Sequence, residues 1–464
     1  MLVQFRIKNF MSIRDEQVFS LVAVKGLREK DEQLRDNIII VSDQFDLVKT
    51  AVIYGANASG KSNLLRAMDF FFNTITDSPQ SNSSIGLYSP FILDPDYEGK
   101  PTLLEAVFVI NQTTYRYGFE ILKQAIVSEW LFIQRKQESY VFERAGNELR
   151  VNRPYKKLHE LQSKDMIGQS VFLLRVGALF NDETCLSIVR WADDVRSIEG
   201  TDDYKFEGYT IQYLEKPEYK QRILDLLRSA DLGIEDIELI PYESKGIVVP
   251  PIKFYGGGEA YPVDKSKDMY WQGPIRKKNY ATPESNYHSI NSKRKIWDTA
   301  SNQFITVSRP LKTFESQGTK KFFNLIGLII SYLDNGGILI ADELDTKLHP
   351  LLTHRIVQLF NNSITNKKNA QFIFATHDTN LLNAEGSVVR LFRRDQIWFT
   401  EKDNTGATQL YALTDYKPGG RSVRNDEQLE KNYIAGKYGG IPYLGNFDAL
   451  FEPKSSADEA VVHE

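Results

Sequence analysis

Cysteine is almost missing from the sequence, because Cys185 is the only one among 464 residues. An intrachain disulfide and a zinc site built on a cysteine cluster are therefore both excluded. Leu186 follows Cys185 directly, and a single thiol in such an apolar setting is more often packed than reactive. We expect Cys185 to be a packed thiol, and the scarcity of cysteine fits a reducing cytosol.

Long hydrophobic runs are also missing. The longest apolar stretch, around Leu325 to Leu333, is too short to span a bilayer. The segment 1–10 alternates apolar and polar residues and lacks the apolar core of a signal peptide. We therefore expect a soluble, cytoplasmic protein without membrane contact. The formal net charge is only -4, which excludes a uniformly basic nucleic-acid-binding surface but leaves room for a local basic patch.

Hydrophobic residues make up 42% of the chain and charged residues 25%, as in ordinary globular proteins. Alternation with period two and short apolar runs predict two groups of strands. The turn between two of them is predicted at Asn111-Gln112. The predicted strands cover residues 2–10, 17–23, 48–54, 104–110, 115–121, 127–134, 140–143, 337–342, 371–375 and 388–392.

Helical spacing of apolar residues predicts a helix that starts near Gly60 and further helices along the chain. These further helices cover residues 156–164, 183–197, 218–230, 318–333 and 350–361. Because strands alternate with helices after Gln317, we predict an α/β fold with a largely parallel sheet and an attached antiparallel sheet. Residues 1–150 and 301–464 are predicted to form one split domain, and residues 151–300 a mainly helical, loop-rich insertion.

The segment 55–62 carries the strongest motif. It reads Gly-Ala-Asn-Ala-Ser-Gly-Lys-Ser and fits G-x-x-x-x-G-K-[ST] between a predicted strand and a predicted helix. Glycines let backbone N–H groups surround phosphates, and the helix N-terminus adds a positive end. The motif predicts a P-loop for ATP and Mg²⁺, with Lys61 on the β- and γ-phosphates and Ser62 on the metal. The candidate nucleotide contacts are Gly55, Asn57, Ser59, Gly60, Lys61 and Ser62.

Polar residues end two later buried strands. The run Gly337-Ile-Leu-Ile-Ala ends in Asp342 and Glu343, and Phe372-Ile-Phe-Ala-Thr ends in His377. Strand ends of an open parallel sheet meet at the ligand-binding edge. Asp342 is therefore a candidate for the magnesium shell, Glu343 for the base that activates water, and His377 for a hydrogen bond to the γ-phosphate.

Together these motifs resemble the ABC-type heads of the SMC, RecF and OLD ATPases, and the opening Phe5-Arg-Ile-Lys-Asn-Phe-Met-Ser-Ile is similar to their first strand and turn. The resemblance implies an ATPase that acts as a homodimer or higher homo-oligomer of heads. It also implies a signature motif, for which Glu315-Ser-Gln-Gly-Thr lies in the matching place. Ser316 and Gly318 would then close onto the γ-phosphate of the opposite protomer. The short Ser-Gln-Gly departs from the family's Ser-Gly-Gly form.

Three further residues match the family less specifically. Asp345 lies where these heads communicate across the dimer. His349 fits that region and the start of a helix equally well. Gln112 is a candidate for the family's Q-loop glutamine, and a polar turn between strands explains it as well.

A narrower resemblance rests on Glu315-Ser-Gln-Gly-Thr-Lys, Asp342-Glu-Leu-Asp and the tail at 425–443, Asn-Asp-Glu-Gln-Leu-Glu-Lys-Asn-Tyr-Ile-Ala-Gly-Lys-Tyr-Gly-Gly-Ile-Pro-Tyr. These segments look like those of stand-alone bacterial ATPases grouped as ATP/GTP phosphatases, which include the AbiL- and RloA-type ATPases of abortive infection. The resemblance implies a role in phage defence with a separately encoded effector, often nuclease-like.

Two features leave other functions open. Basic residues mix with aromatic ones between Tyr270 and Trp297, including Arg276-Lys-Lys and Lys293-Arg-Lys, which suits nucleic acid, a protein partner or a solvated loop. DNA binding under ATP control, as in a RecF-like repair ATPase, is the alternative function. The tail acids Glu401, Asp403, Asp415 and Asp426 would suit a built-in nuclease, although no strand ends in an Asp-x-Asp pair.

Overall fold

The computed structural model of the chain describes residues 1–27, 32–76, 88–123, 125–135, 137–163, 171–200, 202–230, 232–241, 287–383, 390–417, 420, 422–424 and 426–442. The strands are β1 (Leu2–Lys8), β2 (Gln17–Ser20), β3 (Ile38–Ile40), β4 (Asp46–Val48), β5 (Thr50–Gly55), β6 (Thr102–Ile110), β7 (Thr113–Leu122), β8 (Ala125–Gln134), β9 (Glu138–Ala145), β10 (Glu148–Val151), β11 (Val195–Glu199), β12 (Asp236–Pro241), β13 (Tyr287–Asp298), β14 (Gln303–Pro310), β15 (Ile338–Asp342), β16 (Gln371–Ala375), β17 (Ile397–Lys402) and β18 (Thr408–Ala412).

The helices are α1 (Lys61–Thr76), α2 (Lys156–Ser163), α3 (Leu173–Leu179), α4 (Glu183–Asp193), α5 (Glu207–Leu214), α6 (Pro217–Ser229), α7 (Leu311–Phe314), α8 (Gln317–Asn335), α9 (Pro350–Asn361) and α10 (Leu429–Ile434). Among the described residues, no helix combines the length and the apolar character that crossing a membrane requires.

One sheet is antiparallel and seven-stranded, in the order β10-β9-β8-β7-β6-β1-β2. Alternate side chains of its strands are buried, as expected when one face packs on a core. Helix α1 covers that face, where the ring of Phe71 contacts Phe5 at 5.5 Å and stacks on Phe119 at 5.5 Å. Helix α1 therefore joins the antiparallel sheet to the rest of the molecule.

The second sheet has six strands in the order β11-β15-β16-β5-β17-β18, and all its neighbours are parallel except the pair β17–β18. Strands β5 and β16 are buried at every position, which is typical of a parallel sheet covered on both faces. On one face the rings of Phe360 from α9 and Phe372 from β16 stack at 4.7 Å. The α/β class with an attached antiparallel sheet is confirmed.

A small third sheet, β12-β13-β14, leads through α7 into α8. Helix α8 is buried along most of its length and packs on α5, where the Thr210 hydroxyl donates to the Phe323 carbonyl at 2.7 Å. A Cβ at Gly327 would overlap the backbone of Thr210, so this crossing needs a glycine.

The predicted helix over 183–197 is wrong in its second half. Helix α4 ends at Asp193, and residues 195–199 form β11, which pairs in parallel with β15 from Val195 opposite Ile338 to Glu199 opposite Asp342. A helix and a strand compete for such a short segment, and the open edge of the sheet decides in favour of the strand. The segment 151–300 therefore supplies the edge strand of the main sheet.

The predicted strand over 388–392 is also wrong. Residues 388 and 389 lie outside the described residues, and residues 390–392 form no strand; the sheet continues with β17 instead. Leu391 is buried without pairing because its carbonyl accepts hydrogen bonds from the amides of Asn37 and Asn361, both at 3.0 Å. Two side-chain amides thus supply the hydrogen bonds that a neighbouring strand would otherwise give to this buried backbone carbonyl.

Candidate active site

The strands that carry the three sequence motifs are neighbours in the parallel sheet. Strands β15, β16 and β5 lie side by side, with Ala341 opposite Phe374 and Ala375 opposite Ile53. Their carboxyl ends meet at one edge, the place where open α/β sheets bind ligands. The residues that follow these strands therefore lie at one edge of the sheet, although Lys61 and Asp342 are about 280 residues apart in the sequence.

Electrostatic interactions link these motifs across the edge. Burial lowers the pKa of Lys61, and the carboxylates of Asp342, Glu343 and Asp345 oppose that shift. Burial also lowers the pKa of His377, and the Lys61 cation adds to the effect. One lysine, three carboxylates and one imidazole thus act on each other at a single edge of the sheet.

Lys61 folds back onto its own loop. Its side chain is buried, and Nζ donates to the carbonyl of Gly55 at 2.8 Å and to that of Ala56 at 3.1 Å. Backbone carbonyls are weaker partners for a cation than phosphate oxygens are. The loop therefore holds an ammonium group whose present partners a phosphate can replace.

Two threonines of the neighbouring strands fix the P-loop, and sequence reasoning missed them. The hydroxyls of Ser59 and Thr400 are 2.6 Å apart, and the Thr408 hydroxyl donates to the Ser59 carbonyl at 2.9 Å. Gly60 has φ +112°, and a Cβ there would overlap Thr408. Gly55 is equally confined, because a Cβ would overlap Thr400. Only a hydroxyl-bearing residue in a buried strand signals this role, and that signal is weak.

Asp342 and Glu343 differ in their surroundings. Asp342 is half-buried, and its Oδ1 atom is buried with no hydrogen-bond partner. Glu343 is exposed and has φ +51°, a backbone conformation that is uncommon for a residue with a side chain. The Thr346 hydroxyl donates to Glu343 Oε2 at 3.3 Å. The first carboxylate has an unused acceptor and the second faces solvent beside it.

A buried lysine fixes the backbone of this acidic turn. Lys321 Nζ donates to the carbonyls of Thr346 at 2.7 Å, Gly200 at 3.3 Å and Glu343 at 3.4 Å. Burial lowers the pKa of Lys321 to about 8. Because Lys321 lies in α8, the helix that follows the predicted signature is tied directly to the turn after the acidic strand.

The loop after β16 is tied to the same turn. The Thr376 hydroxyl donates to Asp345 Oδ1 at 2.6 Å and accepts from the Asp378 backbone N–H at 3.0 Å. His377, between them, is exposed and interacts electrostatically with the Lys61 cation and the nearby carboxylates. Asp345 therefore orients the strand end that presents His377.

The predicted signature residues begin a long helix. The Ser316 hydroxyl caps α8 by accepting from the Thr319 N–H at 3.2 Å. Gly318 lies against the carbonyl of Lys347, where a Cβ would be only 2.6 Å away. Glu315 is buried and pairs with Arg294 and, through a 2.6 Å hydrogen bond, with Ser292. Ser316 is exposed at the N-terminus of α8, and Glu315 and Gly318 on either side of it anchor this helix start.

A family model matches the chain at residues 51–150 and 192–383, well over half of its length, with the description "AAA domain, putative AbiEii toxin, Type IV TA system". The matched segments contain Lys61, Asp342 and His377. The chain belongs to this family of AAA domains. The segment 151–191, which lies between the two matched segments, contains α2, α3 and most of α4.

A solved SMC head domain from Thermotoga maritima is similar to this AAA domain, with 13% sequence identity and a TM-score of 0.35 over 89% of this chain and 98% of that one. A likeness of this size carries no argument about the site. The chain matches none of the curated proteins with which it was compared.

Several other sequence candidates of this AAA domain have structural roles. His349 caps α9, with Nδ1 accepting from the Leu351 N–H at 3.2 Å. Asn111 and Gln112 form the tight turn between β6 and β7, both with positive φ. Burial raises the pKa of the Cys185 thiol well above its usual value, as expected for a packed thiol.

The described part of the basic and aromatic run is neutralised by acids. Lys293 lies 3.6 Å from Asp236 and 3.7 Å from Glu238, and Lys295 lies 3.7 Å from Glu235. Arg294 pairs with Glu315 as described above. The rest of the run, residues 270–286, lies outside the described residues. The part that is described therefore offers aromatic rings, such as the half-exposed Trp297, rather than free positive charge.

The tail acids do not meet in one cluster. Glu401 accepts from Tyr411 at 3.2 Å and from the Gly440 N–H at 3.2 Å. Asp403 accepts from Thr405 and Ala407 in the turn between β17 and β18. One acid thus holds the C-terminal segment and the other holds a turn.

Proposed function

We propose that this AAA domain binds ATP with Mg²⁺ at the P-loop and hydrolyses it. The observation that carries the proposal is the meeting of Lys61, Asp342, Glu343 and His377 at one edge of the parallel sheet. A cation, an acidic metal ligand, a base and a γ-phosphate partner are the groups that phosphoryl transfer needs.

The residues present fit a magnesium nucleotide. The buried Oδ1 of Asp342 lacks a partner, and carboxylate oxygens are preferred ligands of Mg²⁺. The N-terminus of α1, a helix of 16 residues, points its free N–H groups into the loop and favours an anion. The Ser62 hydroxyl lies in the first turn of that helix, where it can complete the metal shell with Asp342.

The roles follow from these positions. Lys61 exchanges the carbonyls of Gly55 and Ala56 for phosphate oxygens, and bound Mg²⁺ neutralises charge on those phosphates. Glu343 orients a water and takes its proton as the water oxygen bonds to the γ-phosphorus, and the bond from this phosphorus to the bridging oxygen breaks to give phosphate and ADP. His377 donates a hydrogen bond to the γ-phosphate, and its lowered pKa means that the imidazole is neutral in the free protein at neutral pH.

We infer that two such domains close on the nucleotide. Ser316 is exposed at the N-terminus of α8, a helix of 19 residues whose positive end suits a γ-phosphate. Among the described residues, neither Ser316 nor Gly318 hydrogen-bonds to the P-loop of its own chain. Both residues are therefore assigned to the nucleotide of a second copy.

The test compares two variants with different expected defects. Lys61→Ala should reduce binding of a fluorescent ATP analogue by about a hundredfold or more, because the main phosphate cation is lost. Glu343→Gln should bind ATP normally, hydrolyse it at least about a hundredfold more slowly, and accumulate as an ATP-filled dimer in light scattering. Lys156→Ala and Glu218→Gln, at exposed sites, are the matched controls. Equal loss of binding in both variants would refute the assignment of roles.

We further propose that hydrolysis gates a separately encoded effector in phage defence, with a nuclease as the expected effector. The sequence motifs at Glu315–Lys320, Asp342–Asp345 and residues 425–443 support this role, as does the toxin–antitoxin description of the family. Cells that carry the gene with its neighbouring gene should resist phage, and Lys61→Ala should abolish the resistance. Full resistance in cells that carry only this chain would show that no separate effector is needed.

A further inference from the structure

The C-terminal segment, defined as residues 429–442, lies against the start of the P-loop. The ring of Tyr433 in α10 is 5.4 Å from that of Tyr54, the residue before Gly55, and 5.4 Å from that of Phe399 in β17. The Tyr433 hydroxyl donates to the Gly440 carbonyl at 3.1 Å. Helix α10 and the turn after it thus form one unit on the P-loop strand.

Two glycines let this unit approach the sheet closely. Gly439 and Gly440 both have positive φ. A Cβ at Gly439 would overlap the carboxylate of Glu401, and a Cβ at Gly440 would lie 3.6 Å from the Cα of Gly55. The Tyr411 hydroxyl adds a 2.7 Å hydrogen bond to the Tyr438 carbonyl. The segment is therefore a fitted part of the domain at the P-loop, rather than a loose tail.

The same segment also reaches the loop that presents His377. The Thr379 hydroxyl donates to Glu430 Oε1 in α10 at 3.1 Å. The Tyr54 hydroxyl donates to the Asp378 carbonyl at 3.0 Å, from the side of the P-loop strand. Asp378 is thus held by Tyr54, which the C-terminal segment contacts, and Thr379 is held by Glu430, which belongs to that segment.

We propose that Glu430 is a positioning residue for His377 and acts on it through Thr379. The proposal rests on the ATPase function proposed above, because it assigns Glu430 to that same site. His377 is exposed and is followed by a single short helical turn at Thr379–Leu382. An exposed side chain at such a strand end has many orientations, and the hydrogen bond from Thr379 to Glu430 restricts the backbone segment that carries His377. Positioning of this kind affects the reaction step more than nucleotide binding.

The test is a double-mutant cycle on the full chain. Glu430→Ala should lower kcat by about fivefold to tenfold, the size expected when one ordinary hydrogen bond is lost, and change ATP affinity by less than about twofold. Thr379→Val should reproduce this loss. Thr379→Ser keeps the hydroxyl donor and Glu430→Gln keeps an acceptor oxygen, so both variants should retain most activity. Lys431→Ala, an exposed change in the same helix, is the control.

The decisive arm uses His377→Ala as the background. If Glu430 acts through His377, Glu430→Ala should cause no further loss there, because the side chain to be positioned is missing. An additional fivefold to tenfold loss in that background, or full activity of the single Glu430→Ala variant, would overturn the proposal. A wild-type protein that hydrolyses no ATP would instead refute the proposed function, so the two failures are distinguishable.

Discussion

Each of the two large sheets carries an acid with a buried carboxylate oxygen, Glu129 in the antiparallel sheet and Asp342 in the parallel sheet, and the two acids differ in their hydrogen-bond partners. In the antiparallel sheet, Glu129 accepts from the Tyr117 hydroxyl at 3.0 Å and from the N–H groups of Leu173 at 2.8 Å and Leu174 at 3.0 Å. In the parallel sheet, Asp342 has a buried Oδ1 without any partner.

This difference separates a structural acid from a functional one. Burial raises the pKa of Glu129, while its two backbone donors oppose the shift and stabilise the carboxylate that caps α3. Both oxygens of Glu129 accept hydrogen bonds from neighbouring elements, so this acid holds those elements together. The unused acceptor of Asp342 costs stability in the free protein, and such sites are common where a ligand binds.

The comparison is tested most strongly by replacing Asp342 with Asn. The expected loss of magnesium-dependent hydrolysis is about two to three orders of magnitude, because a metal ligand loses its charge. The melting temperature should change little, because Oδ1 has no hydrogen bond to lose. ATPase assays over a magnesium titration, with thermal melting in parallel, measure both. Hydrolysis at the wild-type rate would show that Asp342 is not part of the metal site.

Replacing Glu129 with Ala should have the opposite pattern. We expect the free energy of unfolding to fall by about 3 kcal/mol or more, because three buried donors lose their acceptor. The kcat of the folded fraction should remain at the wild-type value. Urea unfolding and ATPase assays separate the two effects, and Glu148→Ala at an exposed strand position is the control. A loss of kcat in Glu129→Ala without a loss of stability would show that Glu129 is not a purely structural acid.

Arg294→Ala extends the comparison to the signature region. The guanidinium is partly exposed while the side chain of Glu315 is 1% exposed, and this ion pair raises the pKa of Arg294. We expect the free energy of unfolding to fall by about 1–2 kcal/mol, since the buried carboxylate keeps Ser292 but loses its cation. Arg309→Ala, in the adjacent exposed strand, should change it by less than about 0.5 kcal/mol. Equal effects of the two variants would show that the pair does not anchor the helix start.

The smallest expected effect concerns pH. Burial and the Lys61 cation lower the pKa of His377 below its usual 6.5, so the imidazole is neutral at pH 7 and gains its charge only as the pH falls through the lowered pKa. The charge of His377 should therefore leave the rate of hydrolysis unchanged between pH 8 and about 6.5, and any change in rate that depends on this charge should come below that range. An acid limb near pH 7 in the wild type would contradict the lowered pKa. In His377→Ala the change in hydrolysis rate at low pH should be smaller than in the wild type.

Sequence motifs predicted which strand ends lie together at one edge of the parallel sheet, because these segments follow local rules. The P-loop lies between a strand and a helix, and the acids and His377 end buried runs that read clearly as strands. The predicted bounds of β16 and α9 agree with the structure. Neighbours in a parallel sheet then bring these strand ends together.

The parts that sequence missed depend on tertiary partners. Residues 195–199 become β11 only because β15 offers an open edge, and Leu391 avoids a strand because two asparagine amides satisfy its carbonyl. Thr400 and Thr408 contact the P-loop from strands far along the chain. No spacing in the sequence reports such contacts.

The most direct test is a structure of the Glu343→Gln protein with ATP and Mg²⁺. We expect Lys61 Nζ to leave the carbonyls of Gly55 and Ala56 for the β- and γ-phosphates, and Asp342 Oδ1 to face the metal shell. Nucleotide bound away from residues 55–62, or Lys61 still on both carbonyls beside a bound triphosphate, would contradict it.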